Sequence, residues 1–375
     1  MKILFVTEFF PTGKDLKFSG GVEARVFFVA KNLAKKHHVY VLTSRLPGSK
    51  REERMFNFKV LRVGNTRSYK ATTQDIMGRL KFIKSAISAA STLNVDLIDS
   101  SNFITHFIAG IISHRKNVPS FAWYPDVWIG SWIKNAGLYG IFGELLERLN
   151  LLLGAKAYIT ISKETATKLR KHTSRKIYTI HCGVDEKEFT KKEKKFENRT
   201  ITCVSRLTKY KNIRTLILAF ADLTTKLPNI RLIIIGSGPE QGNLAELTSA
   251  LHLTNKVKFI SNLPRKQLVK TIRSSHIFSL PSYVEGFGIA TIEASAGGIP
   301  YVNSNISVQK EITHGALGGY LLDPDDPSGF SNRFYRLLTN KPLYVKKSKD
   351  AKKLASNYSW EKVSKETEKI YKQVI

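Results

Sequence analysis

Three short segments carry residue types that could bind and cleave a phosphorylated ligand. The first is Pro281-Ser282-Tyr283-Val284-Glu285-Gly286-Phe287-Gly288-Ile289, closed by Glu293. An apolar run precedes it and a helical pattern follows. Gly286 and Gly288 let a backbone approach a ligand closely. Free amides at the start of the following helix, at its positive dipole end, suit a phosphate. Glu293, about one turn inside that helix, suits two ribose hydroxyls better than a phosphate. Glu285, ahead of the glycines, is placed to meet sugar hydroxyls. A Gly-rich turn with a helix-capping Glu has the same spacing.

The second segment is Ser205-Arg206-Leu207 with Lys211, where Arg offers a planar fork to phosphate oxygens and Lys a point charge. Taken alone it reads equally as a solvated basic loop. The third is Gly20-Gly21, which opens a helical pattern and either clears space for a ligand or makes a tight turn.

The elements that must position these residues form a βα alternation. Lys2–Val6 reads as a buried strand, and a long loop, Phe9–Ser19, follows. Val22–Lys35 reads as a helix with Val22, Val26, Val29 and Leu33 on one face, and Val39–Thr43 as a strand. Helices are expected over 76–93, 103–113 and 141–153, with strands at 97–100, 120–123 and 157–161. Lys187–Asn198, rich in Lys and Glu and poor in apolar residues, reads as a domain linker. The alternation then restarts. Strands are expected at 200–204, 231–235, 257–260, 276–280, 300–303 and 319–322, helices at 213–225, 267–274 and 289–296, and a helical tail over 350–373. In open α/β sheets ligands sit beyond the carboxyl ends of strands, which is where all three segments fall. The expected fold class is α/β, with two Rossmann-like parallel-sheet domains.

At 375 residues, 42% hydrophobic and 10% aromatic, the chain can bury two cores and is not a disordered chain. Sixty Lys and Arg against thirty Asp and Glu give a net charge of +30, spread over both halves. Such a field attracts polyanions, anionic membranes or phosphorylated small molecules. A nucleic-acid binder would share the charge, but no aromatic residues interleave with a Lys/Arg stripe as in an RNA-binding motif; no nucleic-acid partner is expected. Cys182 and Cys203 read as free thiols of a reducing cytoplasm. No apolar run reaches the ~18 residues that would span a bilayer, and the N-terminus lacks a signal-peptide pattern. The expected location is cytoplasmic, soluble or peripheral on the inner face of a membrane. Leu80, Ile83 and Ile87, with Arg79, Lys81 and Lys84 around them, form a basic amphipathic pattern for an anionic surface. An ordinary core-facing helix would read the same way.

Over essentially its whole length the sequence resembles family 4 of the retaining glycosyltransferases, which have the GT-B fold. Glu285 to Glu293 with Gly-Phe-Gly between looks like that family's Glu-x7-Glu signature, flanked by Leu280-Pro281-Ser282, Glu293-Ala294 and Gly298-Ile299-Pro300. Arg206 and Lys211 fall where the family keeps its diphosphate-binding Arg and Lys. Gly236-Ser237-Gly238-Pro239, Gly183-Val184-Asp185 with Phe189, and Gly20-Gly21-Val22 also fit. Trp360 and the tail resemble a C-terminal helix that crosses back to the first domain. Ser205, Cys182 and Pro125 depart from the pattern; at Tyr124-Pro125-Asp126 many members have His-Asp.

The resemblance implies an acceptor-binding domain over 1–188, with 355–375 packed on it, a donor-binding domain over 189–354, and a cleft between. It implies transfer of a hexose-type sugar, with retention, from a UDP- or GDP-linked donor to a hydroxyl of a glycan or lipid-linked acceptor. Donor contacts are expected from Gly20, Gly21, Arg206, Lys211, Gly236, Gly286, Phe287, Gly288, Ile289 and Glu293, and catalytic roles from Arg206, Lys211, Glu285 and Asp126. The acceptor side would involve Asp126, Tyr124 and His106, Asp126 or His106 taking part of the missing histidine's role. No cofactor and no metal are expected, because the cation pair can stabilise the leaving diphosphate; Asp323-Pro324-Asp325-Asp326 reads as a surface turn. Another GT-B activity, an epimerase or a phosphorylase, is the alternative, although no pyridoxal-binding Lys context is found.

Overall fold

The protein is described by a computed structural model covering all residues except 14–17, 19, 68–74, 192 and 262, and except the side chains of 135, 136 and 190. Much of the loop expected at Phe9–Ser19 therefore lies outside the described residues. The chain forms two compact units, Met1–Cys182 with Trp360–Ile375, and Gly183–Ser359.

The first unit is built on eight strands: β1 (Lys2–Val6), β2 (His38–Arg45), β3 (Glu52–Met55), β4 (Phe58–Thr66), β5 (Leu97–Ser100), β6 (Ser120–Tyr124), β7 (Ala157–Thr160) and β8 (Ile177–Thr179). Their order is β3-β4-β2-β1-β5-β6-β7-β8, parallel throughout except for β3, which pairs antiparallel to β4. Strands covered on both faces need continuous apolar runs, and Ile3 to Val6 and Leu97 to Ile98 are fully buried. Helices α1 (Gly21–Leu33), α2 (Ile76–Ser91), α3 (Phe103–Lys116), α4 (Trp132–Ala136) and α5 (Gly140–Leu153) follow β1, β4, β5 and β6. The buried Arg25 of α1 makes a two-pronged contact with both oxygens of Asp99 of β5, and Asp99 Oδ2 also accepts from Tyr371 Oη at 2.5 Å.

The second unit has six parallel strands: β9 (Arg199–Val204), β10 (Ile230–Ile235), β11 (Val257–Ile260), β12 (Ile277–Leu280), β13 (Tyr301–Ser304) and β14 (Gly319–Leu322), in the order β11-β10-β9-β12-β13-β14. In both units the first strand lies inside: β2, β3 and β4 lie on one side of β1 with β5 on the other, and β10 and β11 lie on one side of β9 with β12 on the other. The order therefore reverses between β1 and β5 and between β9 and β12, and open α/β sheets bind ligands at such switch points.

Three sequence expectations need correction, and one element was not anticipated. The stretch Lys187–Asn198 is not a bare linker. Asp185 accepts a hydrogen bond from the Lys187 amide and so caps a helix, Glu186–Thr190, whose Phe189 is buried; the units divide earlier, at Cys182/Gly183. The helical tail is two helices, Lys341–Ala355 in the second unit and Trp360–Val374 in the first, where Trp360 stacks on Phe28 with ring centroids 5.1 Å apart. On α2, Ile83 and Ile87 pack against the core, so the face expected to meet a membrane is largely used inside; Leu80 alone of the three is exposed. The hairpin β3–β4 was not anticipated.

Cys182 and Cys203 are free and buried, and burial pushes both thiols up to about 12. Among the described residues, no helix is long and apolar enough to cross a membrane.

Candidate functional site

The loops after β9 and β12 meet at the switch point of the second sheet. After β9 the chain makes a short 3-10 turn, Lys209–Lys211, which presents Lys211 beside the β12 loop. Lys211 Nζ lies 2.7 Å from Glu285 Oε1, which also accepts from Ser282 Oγ at 2.6 Å. Both Lys211 and Glu285 are buried, whereas Arg206 is exposed. Tyr210 underlies both cations, its ring centroid 5.7 Å from the Arg206 guanidinium and 5.2 Å from Lys211 Nζ, and its hydroxyl accepts from Arg206 Nη2. The Tyr210 carbonyl accepts from the Tyr283 amide at 2.9 Å, a further tie between the loops. Sequence reasoning passed over Tyr210, although an aromatic between two cations at this spacing is the available signal.

The glycines divide by role. Gly288 has φ +86° and starts the helix Ile289–Ala296 with no side chain capping its N-terminus. Its first amides therefore keep the arrangement that suits an oxyanion, and Gly286, Gly288 and Ile289 are all partly accessible. Gly236, with φ +147°, serves packing: a Cβ there would lie 1.8 Å from the Ser205 carbonyl oxygen. The β10 loop thus presses on the loop that carries Arg206. The ring of Phe287 is buried against Tyr358 at 5.9 Å, which leaves its backbone to face a ligand. In the first unit, Gly20 and Gly21 are exposed at the start of α1, and a Cβ on Gly20 would meet nothing within 4 Å.

Glu293 lies within the same unit but already has a partner. Arg265 Nη1 donates to Glu293 Oε1 at 2.5 Å and Arg265 Nη2 to Glu188 Oε2 at 2.6 Å, with Phe189 stacked on the guanidinium. This Glu188–Arg265–Glu293 chain was not foreseen, because Glu188 looked like part of a linker.

On the first unit, Asp126 sits just past the carboxyl end of β6, partly exposed, 3.2 Å from Lys168 Nζ and accepting from Trp128 Nε1. His106 and Tyr124 do not join it there. His106 is 6% exposed, hydrogen-bonds Ser100 Oγ through Nδ1 at 2.8 Å and stacks on Tyr124, itself 2% exposed. Burial, helped by the charge of Arg25, pushes the His106 imidazole down to about 3, so it is neutral. The structure thus overturns both as acceptor-facing groups: they are core residues. In the acidic turn, Asp325 accepts from Tyr283 Oη and Asp326 caps the helix Pro327–Thr339 through the Gly329 amide.

Comparison with known proteins follows the division of the chain. Residues 19–188 match the family described as Glycosyltransferase Family 4, and residues 184–354 the one described as Glycosyl transferases group 1. An uncharacterized glycosyltransferase of Methanocaldococcus jannaschii is 27% identical over 296 residues, 74% of this chain and 75% of that protein. Beyond it, the chain spans about half the length of the curated relatives it matches. Sucrose-phosphate synthase from Thermosynechococcus elongatus superposes with a TM-score of 0.82 at 18% identity, covering 100% of this chain and 98% of that one. HepE of Anabaena, solved in complex with UDP-glucose, superposes with a TM-score of 0.75 at 19% identity over 100% of both chains.

Proposed function

The chain belongs to the family 4 glycosyltransferases of the GT-B fold, and from that premise we propose that it transfers a hexose-type sugar from a UDP- or GDP-linked donor, with retention, to a hydroxyl of a glycan or lipid-linked acceptor. The observation that carries the reading is the pair Arg206 and Lys211 at the switch point beside Glu285 and the uncapped helix start at Gly288. HepE, with the same fold, binds UDP-glucose, which supports a nucleotide sugar as the donor.

Cleavage of such a donor leaves a nucleoside diphosphate whose negative charge grows as the sugar bond breaks. Preorganised cations and amides stabilise that charge where it forms. Arg206, held by Tyr210, offers a fork to the diphosphate; Lys211 adds a point charge, and the amides at Gly288 and Ile289 complete the cradle. Glu285, fixed by Lys211 and Ser282, faces the sugar hydroxyls, and the oxygen of Glu293 not engaged by Arg265 accepts from the ribose. With two cations in place the reaction needs no divalent metal. The acceptor attacks from the leaving-group face, which preserves configuration, and Asp126 of the first unit serves the acceptor side. The enzyme works at the inner face of a membrane, in cell-surface glycan assembly.

The test is a thermal-shift screen with nucleoside diphosphates and nucleotide sugars. A ligand at 100 times its Kd stabilises by ~2.7 kcal/mol. A shift with one UDP or GDP series, abolished by Arg206→Ala, is the expected result; no shift with any of them overturns the reading.

A further inference from the structure

Helix α5 is amphipathic with its apolar side outward. Its inner face holds Gly140, Gly143, Glu147 and Asn150, all buried. Glu147 accepts from Trp132 Nε1 at 2.5 Å, and Asn150 Nδ2 donates to the Phe103 carbonyl at 2.7 Å. Its outer face carries Ile141, Phe142, Leu145, Leu149 and Leu152, spaced as one helical stripe and all exposed, Phe142 to 66% and Leu152 to 81%. The segment just before it adds exposed Ile133, Leu138 and Tyr139. Eight large apolar side chains on one short stretch are far from the scattered single exposures of an ordinary surface. The platform is firm, because Trp132 of α4 is buried against Gly143, where a Cβ would lie 2.3 Å from the indole.

The charge around this stripe has one sign. Helices α2, α3 and α4 contain no Asp or Glu. The two acids of α5 are both engaged, Glu144 by Arg148 and the Gly130 amide, and Glu147 inside. Lys134, Arg148 and Lys156 are exposed on the same segment. The hydrogen bond from His114 to the Leu153 carbonyl brings the exposed Arg115 at the end of α3 alongside. An apolar stripe rimmed by cations is the composition of an interfacial helix on an anionic bilayer. A second copy of the chain fits it poorly, since a two-fold contact would set these cations against themselves with no acid to pair.

We propose that α4–α5 is a membrane-docking surface that inserts its apolar stripe among anionic lipid headgroups. The proposal deepens the function proposed above at one point, the membrane, and rests on it only there. It also moves the docking face from α2, where two of the three expected residues are packed inside, to α5.

The test is flotation of the full chain, without sugar nucleotide, with vesicles of phosphatidylglycerol and phosphatidylcholine and with phosphatidylcholine alone, at low and high salt. Binding is expected to the anionic vesicles and to weaken with salt. Phe142→Ser/Leu145→Ser, at exposed positions, should lower the partition coefficient roughly tenfold or more per side chain while the melting temperature is kept. Lys134→Glu/Lys156→Glu should abolish the preference for anionic lipid. Wild-type protein that stays with none of the vesicles, a double-serine variant that floats like wild type, or a wild-type dimer dissolved by that variant would each overturn the proposal. Nucleoside diphosphate binding, measured without vesicles, reports on the transferase reading separately.

Discussion

Lys211 Nζ lies 2.7 Å from Glu285 Oε1, and this ion pair joins the loops after β9 and β12. Both partners are buried, so removing one leaves the other unpaired out of water. Lys211→Ala should destabilise the second unit by roughly 1–3 kcal/mol, and adding Glu285→Gln should restore part of that loss, because the amide keeps the Ser282 contact. Urea unfolding of the single and double variants measures the coupling; simple additivity would show that the pair does not hold the loops together.

Glu293→Gln should weaken nucleoside diphosphate binding by roughly 1.5–3 kcal/mol, through loss of a charged acceptor. Stability should change less, since Arg265 keeps Glu188. Calorimetric titration decides it, and an unchanged affinity would confine Glu293 to its contact with Arg265.

His106 predicts a pH dependence. Burial first, then Arg25, lowers its folded-state value to about 3 from 6.5. Between those values the unfolded chain binds a proton that the folded chain does not, so stability is lost as pH falls through that window, by up to ~1.4 kcal/mol per pH unit. His106→Gln should fall less steeply between pH 6.5 and 4 in urea titrations and should leave donor binding intact. A parallel fall would mean that His106 is not the neutral core group described.

Glu147 carries the opposite sign. Burial raises its carboxyl to about 7 from 4.5, against the hydrogen bond from Trp132. The folded chain then holds the proton more tightly, and stability declines as pH rises from about 4.5 to about 7. Glu147→Gln should therefore stabilise by roughly 1–2 kcal/mol at pH 8 and gain nothing at pH 4. Equal effects at the two pH values would contradict the assignment.

The fold was legible where buried strands leave apolar runs and where loops leave Gly and basic residues at strand ends. Arg199–Val204 and Ile277–Leu280 are such strands; Arg206 and Lys211 follow the first and Glu285 the second. The hairpin β3–β4 was not legible, because an edge strand such as Glu52–Met55 is charged and partly wet. Nor was the inversion of α5, since periodicity places apolar residues on one face without saying which face the fold buries. Glu147 and Asn150 turn inward, where Glu147 accepts from Trp132 Nε1 and Asn150 Nδ2 donates to the Phe103 carbonyl. His106 and Tyr124 misled for a related reason: a histidine just past a strand end reads as functional until its neighbours show it stacked in a core.

The most direct test of the central claim is kcat for nucleoside diphosphate release under saturating donor, in EDTA, for wild type and for Arg206→Lys and Arg206→Ala. If Arg206 stabilises the departing diphosphate, wild type stays active in EDTA and both variants lose ~10²–10³ in kcat, because a point charge does not reproduce the fork. Wild-type activity that dies in EDTA and returns with Mg²⁺ or Mn²⁺, or variants changed only in KM, would contradict it.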